Sequence, residues 1–213
     1  MNPIPVVEDN VLAYYKGIAR RLGGRFIESE QVAWFTTGRR SLLRFNAVLR
    51  TVAASPAELR RVADPILDTF LTQNLPFFWV DWPPGGAPGL ADYLHATGLP
   101  FLCFDMPAMV RRLDHLPAVV PPDGVEVVRA HGAGSSRLAD RADGRLRGAG
   151  GARPDFGQYL AGSLAEAQSD LKHFVARRGE PCAIATLLHA RHAAGSTTSR
   201  PCRPTAAAGW ARP

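Results

Sequence analysis

Residues 171–190, LKHFVARRGEPCAIATLLHA, constrain the fold most. Two apolar runs, LKHFVARR and PCAIATLLHA, flank a short turn at Gly179-Glu180-Pro181, and this pattern reads as an antiparallel hairpin buried in a core. The next stretch is its opposite. Ala194 to Pro213, AGSTTSRPCRPTAAAGWARP, offers one large side chain, Trp210, and carries Pro201 and Pro204, which break helices and central strands. The sequence therefore predicts a sheet that ends on an unpaired apolar strand, prone to aggregate, with a disordered tail over 191–213.

Upstream, DNVLAYYKGIARRL spaces Val11, Leu12, Tyr15, Ile18 and Leu22 as a helix stopped by Gly23-Gly24. RFIESE, QVAWFTTG and RFNAVLRT read as strands. Ser55 caps a helix from Pro56 to about Asn74, with Glu58 completing a capping box and Pro65 set to kink it. PFFWVDW is a strand, LADYLHATGL a helix ended by Gly98, and PFLCFDMPAMV a returning strand. LPAVVPPDG, residues 116–124, is a linker. Then come strand VEVVRA, an Arg/Gly-rich segment at 131–155, a helix over 156–169 and the hairpin. The chain thus divides into a first unit, 1–115, the linker, a second unit, 125–190, and the tail. Alternation of strands and helices makes the class α/β with a mixed sheet.

Composition excludes several functions. At 46% hydrophobic residues the chain can bury a core, and no apolar run is long enough to span a membrane. The start, MNPIPVVEDN, lacks the pattern of a secretory signal. Three distant cysteines, Cys103, Cys182 and Cys202, read as free thiols in a reducing cytoplasm. Of 25 basic residues only Lys16 and Lys172 are lysines, and Gly, Ala, Pro and Arg share GC-rich codons, so the +6 charge needs no nucleic-acid partner. His189 and His192 with Cys182 and Cys202 lack the paired spacing of a zinc site, so no metal is expected.

The second unit resembles the GNAT superfamily of acetyl-CoA-dependent N-acyltransferases. VEVVRA looks like the first GNAT strand, DFGQYL opens what looks like the second helix, and KHFVARRGEPCAIATLLHA looks like the second and third strands. The first unit resembles half of the same fold: VAWFTTG, RFNAVLRT, the helix from Pro56, PFFWVDW and LADYLHATGLPFL follow the family order from the third strand onward. The resemblance implies acetyl-CoA as cofactor and a small-molecule or peptide amine as acceptor, attacking the thioester directly while fourth-strand backbone donors polarise the carbonyl. It also implies a loop, R/Q-x-x-G-x-G/A, that opens a helix and receives the coenzyme's pyrophosphate on unpaired N–H groups.

Neither unit carries that loop in the printed frame. The first has SPAELRRVA, without glycine, and reads as a degenerate half. After Ala190 the second has nothing of that spacing. In a shifted frame, where each codon takes the last base of one printed codon and the first two of the next, GSTTSRPCRPTAAAGWARP is compatible with IYNVATLPTHRRRGLGAA. That string is a strand followed by R-R-x-G-x-G. The expectation is a frameshift between about Ala190 and Gly195, with 131–155 as a second, compensated one. The chain as printed is then an inactive member that binds no acetyl-CoA; the alternative is a non-catalytic interaction module with a cationic tail. Candidate substrate-side residues are Trp34, Thr37 and Asn46, at strand ends of the first unit, beside Thr36. No catalytic residue is assigned; Glu28, Glu30 and Glu126 could deprotonate an amine but read as surface groups.

Overall fold

The computed structural model describes residues 4–41, 43–82, 86–103, 105–106, 118–130, 159, 162–164, 166, 170–190 and 193–201. The chain divides into two units, Met1–Val110 with Asp143–Tyr159, and Arg111–Ala142 with Leu160–Pro213.

In the first unit, helix α1 (Ile4–Arg21) ends where expected, with Gly23 in the left-handed region at φ 69° and Gly24 N–H bonded back to Ala19 O at 2.7 Å. Strands β1 (Arg25–Glu28), β2 (Val32–Thr36) and β3 (Asn46–Thr51) form an antiparallel meander, and β4 (Phe78–Trp79) joins β3 in parallel. This is the expected mixed sheet. Its two faces are covered separately. On one, Tyr15 of α1 stacks on Phe35, ring centroids 5.1 Å apart. On the other, helix α2 (Pro56–Thr72) packs Ile66 and Phe70 against Trp34 and Val48. The period-2 alternation of β2 makes both possible.

Helix α2 runs unbroken through Pro65. Ser55 Oγ accepts from Glu58 N at 3.3 Å, and Arg40 donates to Gln73 O at the other end, Nη2 to O 2.7 Å. A side-chain cap of this kind is worth about 1 kcal/mol. Ser55→Ala is therefore expected to lower the unfolding free energy by about 1 kcal/mol, and Ser55→Gly by a few tenths, in urea titrations.

Helix α3 (Leu90–Ala96) follows, with Gly98 at φ 70° beyond its end. The returning strand expected at PFLCFDMPAMV is not formed at residues 101–103 and 105–106, which run irregularly with Leu102 92% and Met106 72% exposed. Its alternating apolar pattern finds no strand to pair with there. The linker is irregular at 118–125, as the sequence indicates.

In the second unit, β5 (Glu126–Ala130), β6 (Leu171–Arg178), β7 (Glu180–Ala190) and β8 (Ala193–Pro201) form one antiparallel sheet in that order. Gly179, at φ 68°, makes the β6–β7 turn. Residues 191–213 were expected to have no regular structure, yet Ala193–Pro201 pairs along β7 from Ala190↔Ala193 to Ala183↔Pro201. An edge strand needs only backbone partners, and β-branched Thr197 and Thr198 suit it. The apolar edge of β7 is consequently covered. The rest of the tail, 202–213, lies outside the described residues, as does the segment 131–155.

Candidate functional site

A coenzyme seat, if the first unit had one, would be built where β3 leads into α2. The sequence there is Ala54-Ser55-Pro56-Ala57-Glu58-Leu59, and Ser55, Pro56 and Glu58 occupy most of the site. Pro56 contributes no N–H. Glu58 N–H goes to Ser55 Oγ and Leu59 N–H to Ser55 O at 2.9 Å. The Glu58 carboxylate folds over the helix start: Oε2 accepts from Ala54 N at 2.8 Å, and Oε1 accepts from the Gln31 amide and lies 3.6 Å from Arg61 Nη2. A negative side chain thus holds the positive end of the helix dipole, where a pyrophosphate would be repelled.

The strands beneath are closed too. β3 and β4 pair through Ala47↔Phe78 and Val48↔Trp79 only, and Val80 N then bonds Val48 O at 2.9 Å. Past that point two indoles bond back to β3. Trp82 Nε1 donates to Leu49 O at 2.7 Å, and Trp79 Nε1 to Thr51 Oγ1 at 3.0 Å. The β2–β3 register shifts between Ala33 and Trp34, opposite Leu49, and Trp82 takes the carbonyl of that extra residue. Ala87 and Leu90 pack with Ala53, Leu59 and Ala63 over the same region. The residues present do not fit a coenzyme here.

The candidate substrate residues separate. Asn46 is 0% exposed and its amide is fully engaged: Oδ1 accepts from Thr36 Oγ1 at 2.8 Å and Thr37 N at 3.2 Å, and Nδ2 donates to Arg39 O at 2.9 Å and Pro76 O at 3.0 Å. It ties the loop after β2 to the start of β4. Thr37 is half-buried at the beginning of that loop. Trp34 is 9% exposed, its ring edge-on to Phe70 at 5.6 Å, on the α2 side of the sheet. Of the carboxylates, Glu28 lies between Lys16 Nζ (3.2 Å) and Arg50 Nη2 (3.6 Å), and Glu126 pairs with Arg177 Nη2 at 2.9 Å; Glu30 is exposed. The side chains of Cys182, His192 and Cys202 lie outside the described ones.

One constellation was not singled out from the sequence. In the second unit, Ser163 Oγ lies 2.8 Å from His173 Nε2, and His173 Nδ1 lies 2.9 Å from Thr186 Oγ1. All three are buried, His173 at 2% exposure. A serine, a histidine and an orienting hydroxyl mimic a nucleophile relay, but Ser163 is itself buried, at 2% exposure. The trio fastens the helical residues 162–164 to β6 and β7. The alternation Leu171, His173, Val175 is the signal that placed this histidine inward.

The described tyrosines of α1 are also internal. Burial pushes the Tyr15 phenol up to about 12, with Tyr14 adding and Arg44 opposing. Tyr159 is raised as well, chiefly by burial, with Tyr14 beside it. Because the folded value for Tyr15 exceeds the unfolded one, its contribution is intact below pH 10 and is lost as pH rises toward about 12. Ultraviolet titration of phenolate absorbance should therefore show delayed ionisation, and the unfolding midpoint should fall across that same window.

No protein-family model matches the chain, nor does any curated protein. Among solved structures it is similar to a GCN5-related N-acetyltransferase from Kribbella flavida, with a TM-score of 0.56 and 16% identity over 92% of this chain and 74% of that one. At that identity the likeness establishes the fold, a mixed α/β fold like that of the GNAT superfamily. Among the described residues no helix is long and apolar enough to cross a membrane.

Proposed function

We propose that the chain derives from a tandem acetyl-CoA-dependent N-acyltransferase whose first unit seats no coenzyme and whose second is interrupted by a change of reading frame, leaving the printed polypeptide inactive or nearly so. The observation that carries this reading is the sealed start of α2, where Ser55, Pro56 and Glu58 take the place of a glycine loop. This supports a cofactor seat in the second unit, where the residues after Ala190 spell no such loop and a shifted reading is compatible with one. The acceptor is then a small-molecule or peptide amine, and the compartment the cytoplasm. Of the residues assigned to substrate, Thr37 keeps enough exposure for a contact, Asn46 acts by fixing its loop, and Trp34 belongs to another surface. The coding DNA beyond codon 190 tests the proposal: if the other phase does not continue as a strand, a glycine loop and a helix, the reading fails.

A second reading, a non-catalytic interaction module, is favoured by one observation. Leu102, Met106, Val119 and Val120 are exposed by 72% or more. Capture of one defined partner by the chain cut after Ala190 would support it; capture that requires the basic tail would point to charge alone.

A further inference from the structure

On the α2 side of the first unit's sheet lies a groove of about 460 Å³, within the size range of small-ligand sites. Its floor is Val32 and Trp34 of β2, its walls Arg25 of β1 and Arg61 of α2, and Val62 and Ile66 add apolar surface. No Asp or Glu lines it. Ser29, Gln31 and Thr69 spend their side-chain donors within the fold, and Arg25 and Trp34 do not. Among the described residues the Arg25 guanidinium has no partner. Arg61 uses Nη2 on Gln31 Oε1, at 3.0 Å, and on the Glu58 carboxylate, 3.6 Å away, and keeps Nε and Nη1. Thr69 already gives its hydroxyl proton to Pro65 O at 2.8 Å, the usual bond of a helical threonine to the carbonyl four residues back.

Trp34 adds a second, independent observation. More than nine-tenths of it is buried, yet its indole N–H has no acceptor among the described residues. Nor does it number among the buried polar atoms sealed off without a bond, which include those of Glu8, Asn10 and Arg50. Trp34 is one of the residues that line this groove. A buried indole whose one donor is unspent, beside two guanidinium groups, is suited to an incoming acceptor.

We propose that this groove binds a small organic carboxylate, its two oxygens taken by Arg25, Arg61 and the Trp34 N–H and its apolar body resting on Val32, Val62 and Ile66. Guanidinium forks match carboxylate geometry, and the aliphatic floor disfavours a bare, strongly hydrated anion. The site is separate from any coenzyme seat and takes an anion rather than an amine, so it goes beyond the acyltransferase reading and stands or falls apart from it.

The test is titration of the full chain with sodium benzoate, read by calorimetry and by the indole N–H resonances, with Trp34 assigned through Trp34→Phe. Benzoate is expected to displace the Trp34 N–H signal, and Arg25→Gln to weaken binding at least about tenfold while the melting curve stays unchanged, since Arg25 holds nothing in the fold. Benzamide and inorganic phosphate are expected to leave the signal in place. An unmoved Trp34 signal, equal binding by Arg25→Gln, or an equal response to benzamide or phosphate overturns the proposal.

Discussion

Incubated with acetyl-CoA and a panel of amines, the purified chain should release no free thiol above background, whereas the same gene with one base inserted between codons 190 and 195, and read on into the downstream bases, should turn over. The difference is expected to exceed about a hundredfold, since loss of even one donor aimed at a developing oxyanion costs that much. Here the whole anion cradle is at stake. In the first unit the start of α2 is held by Ser55 and Glu58, and the indoles of Trp79 and Trp82 bond to Thr51 and Leu49 of β3. Equilibrium dialysis with acetyl-CoA should agree with the assay. Turnover by the printed chain at a rate like that of the corrected one would reject the frameshift account and the sealed-helix argument together.

The largest stability effect is expected at Phe70. Its ring is fully buried, stacked on Phe77 at 4.7 Å and edge-on to Trp34 at 5.6 Å, and it joins α2 to the sheet. Phe70→Ala should cost about 3–5 kcal/mol, a large fraction of a domain's total stability. Phe70→Leu should cost less, because much of the volume survives. Urea unfolding followed by tryptophan fluorescence would measure both. A loss under about 1 kcal/mol for the alanine variant would mean that α2 is anchored elsewhere.

Most of the architecture could be read from the residues because local rules agreed. Gly23-Gly24 stopped α1, Ser55 and Pro56 opened α2, and Gly179 turned the hairpin, each where its backbone preference places it. Two elements departed from expectation for opposite reasons. The alternating apolar residues of PFLCFDM suggest a strand, but periodicity cannot supply a neighbour to pair with. Ala193–Pro201 has almost no apolar side chains, but the free edge of β7 supplied the neighbour. The site was less legible. Asn46 and Thr37 stand out in the sequence as polar residues near strand ends, and the hydrogen bond that joins them exists only in three dimensions. The closing of the helix start by Glu58 was half visible as a capping box; the indoles of Trp79 and Trp82 reaching back to β3 depend on contacts 28 and 33 residues apart, beyond any local pattern.

The ladder joining β7 to β8 draws on main-chain amides and carbonyls, which any translation phase supplies alike. A slip at that point would erase chemistry before it erased architecture. A gene damaged there could go on yielding a polypeptide whose hydrophobic flank stays capped, and whose silence would be noticed by an assay sooner than by a solubility gel.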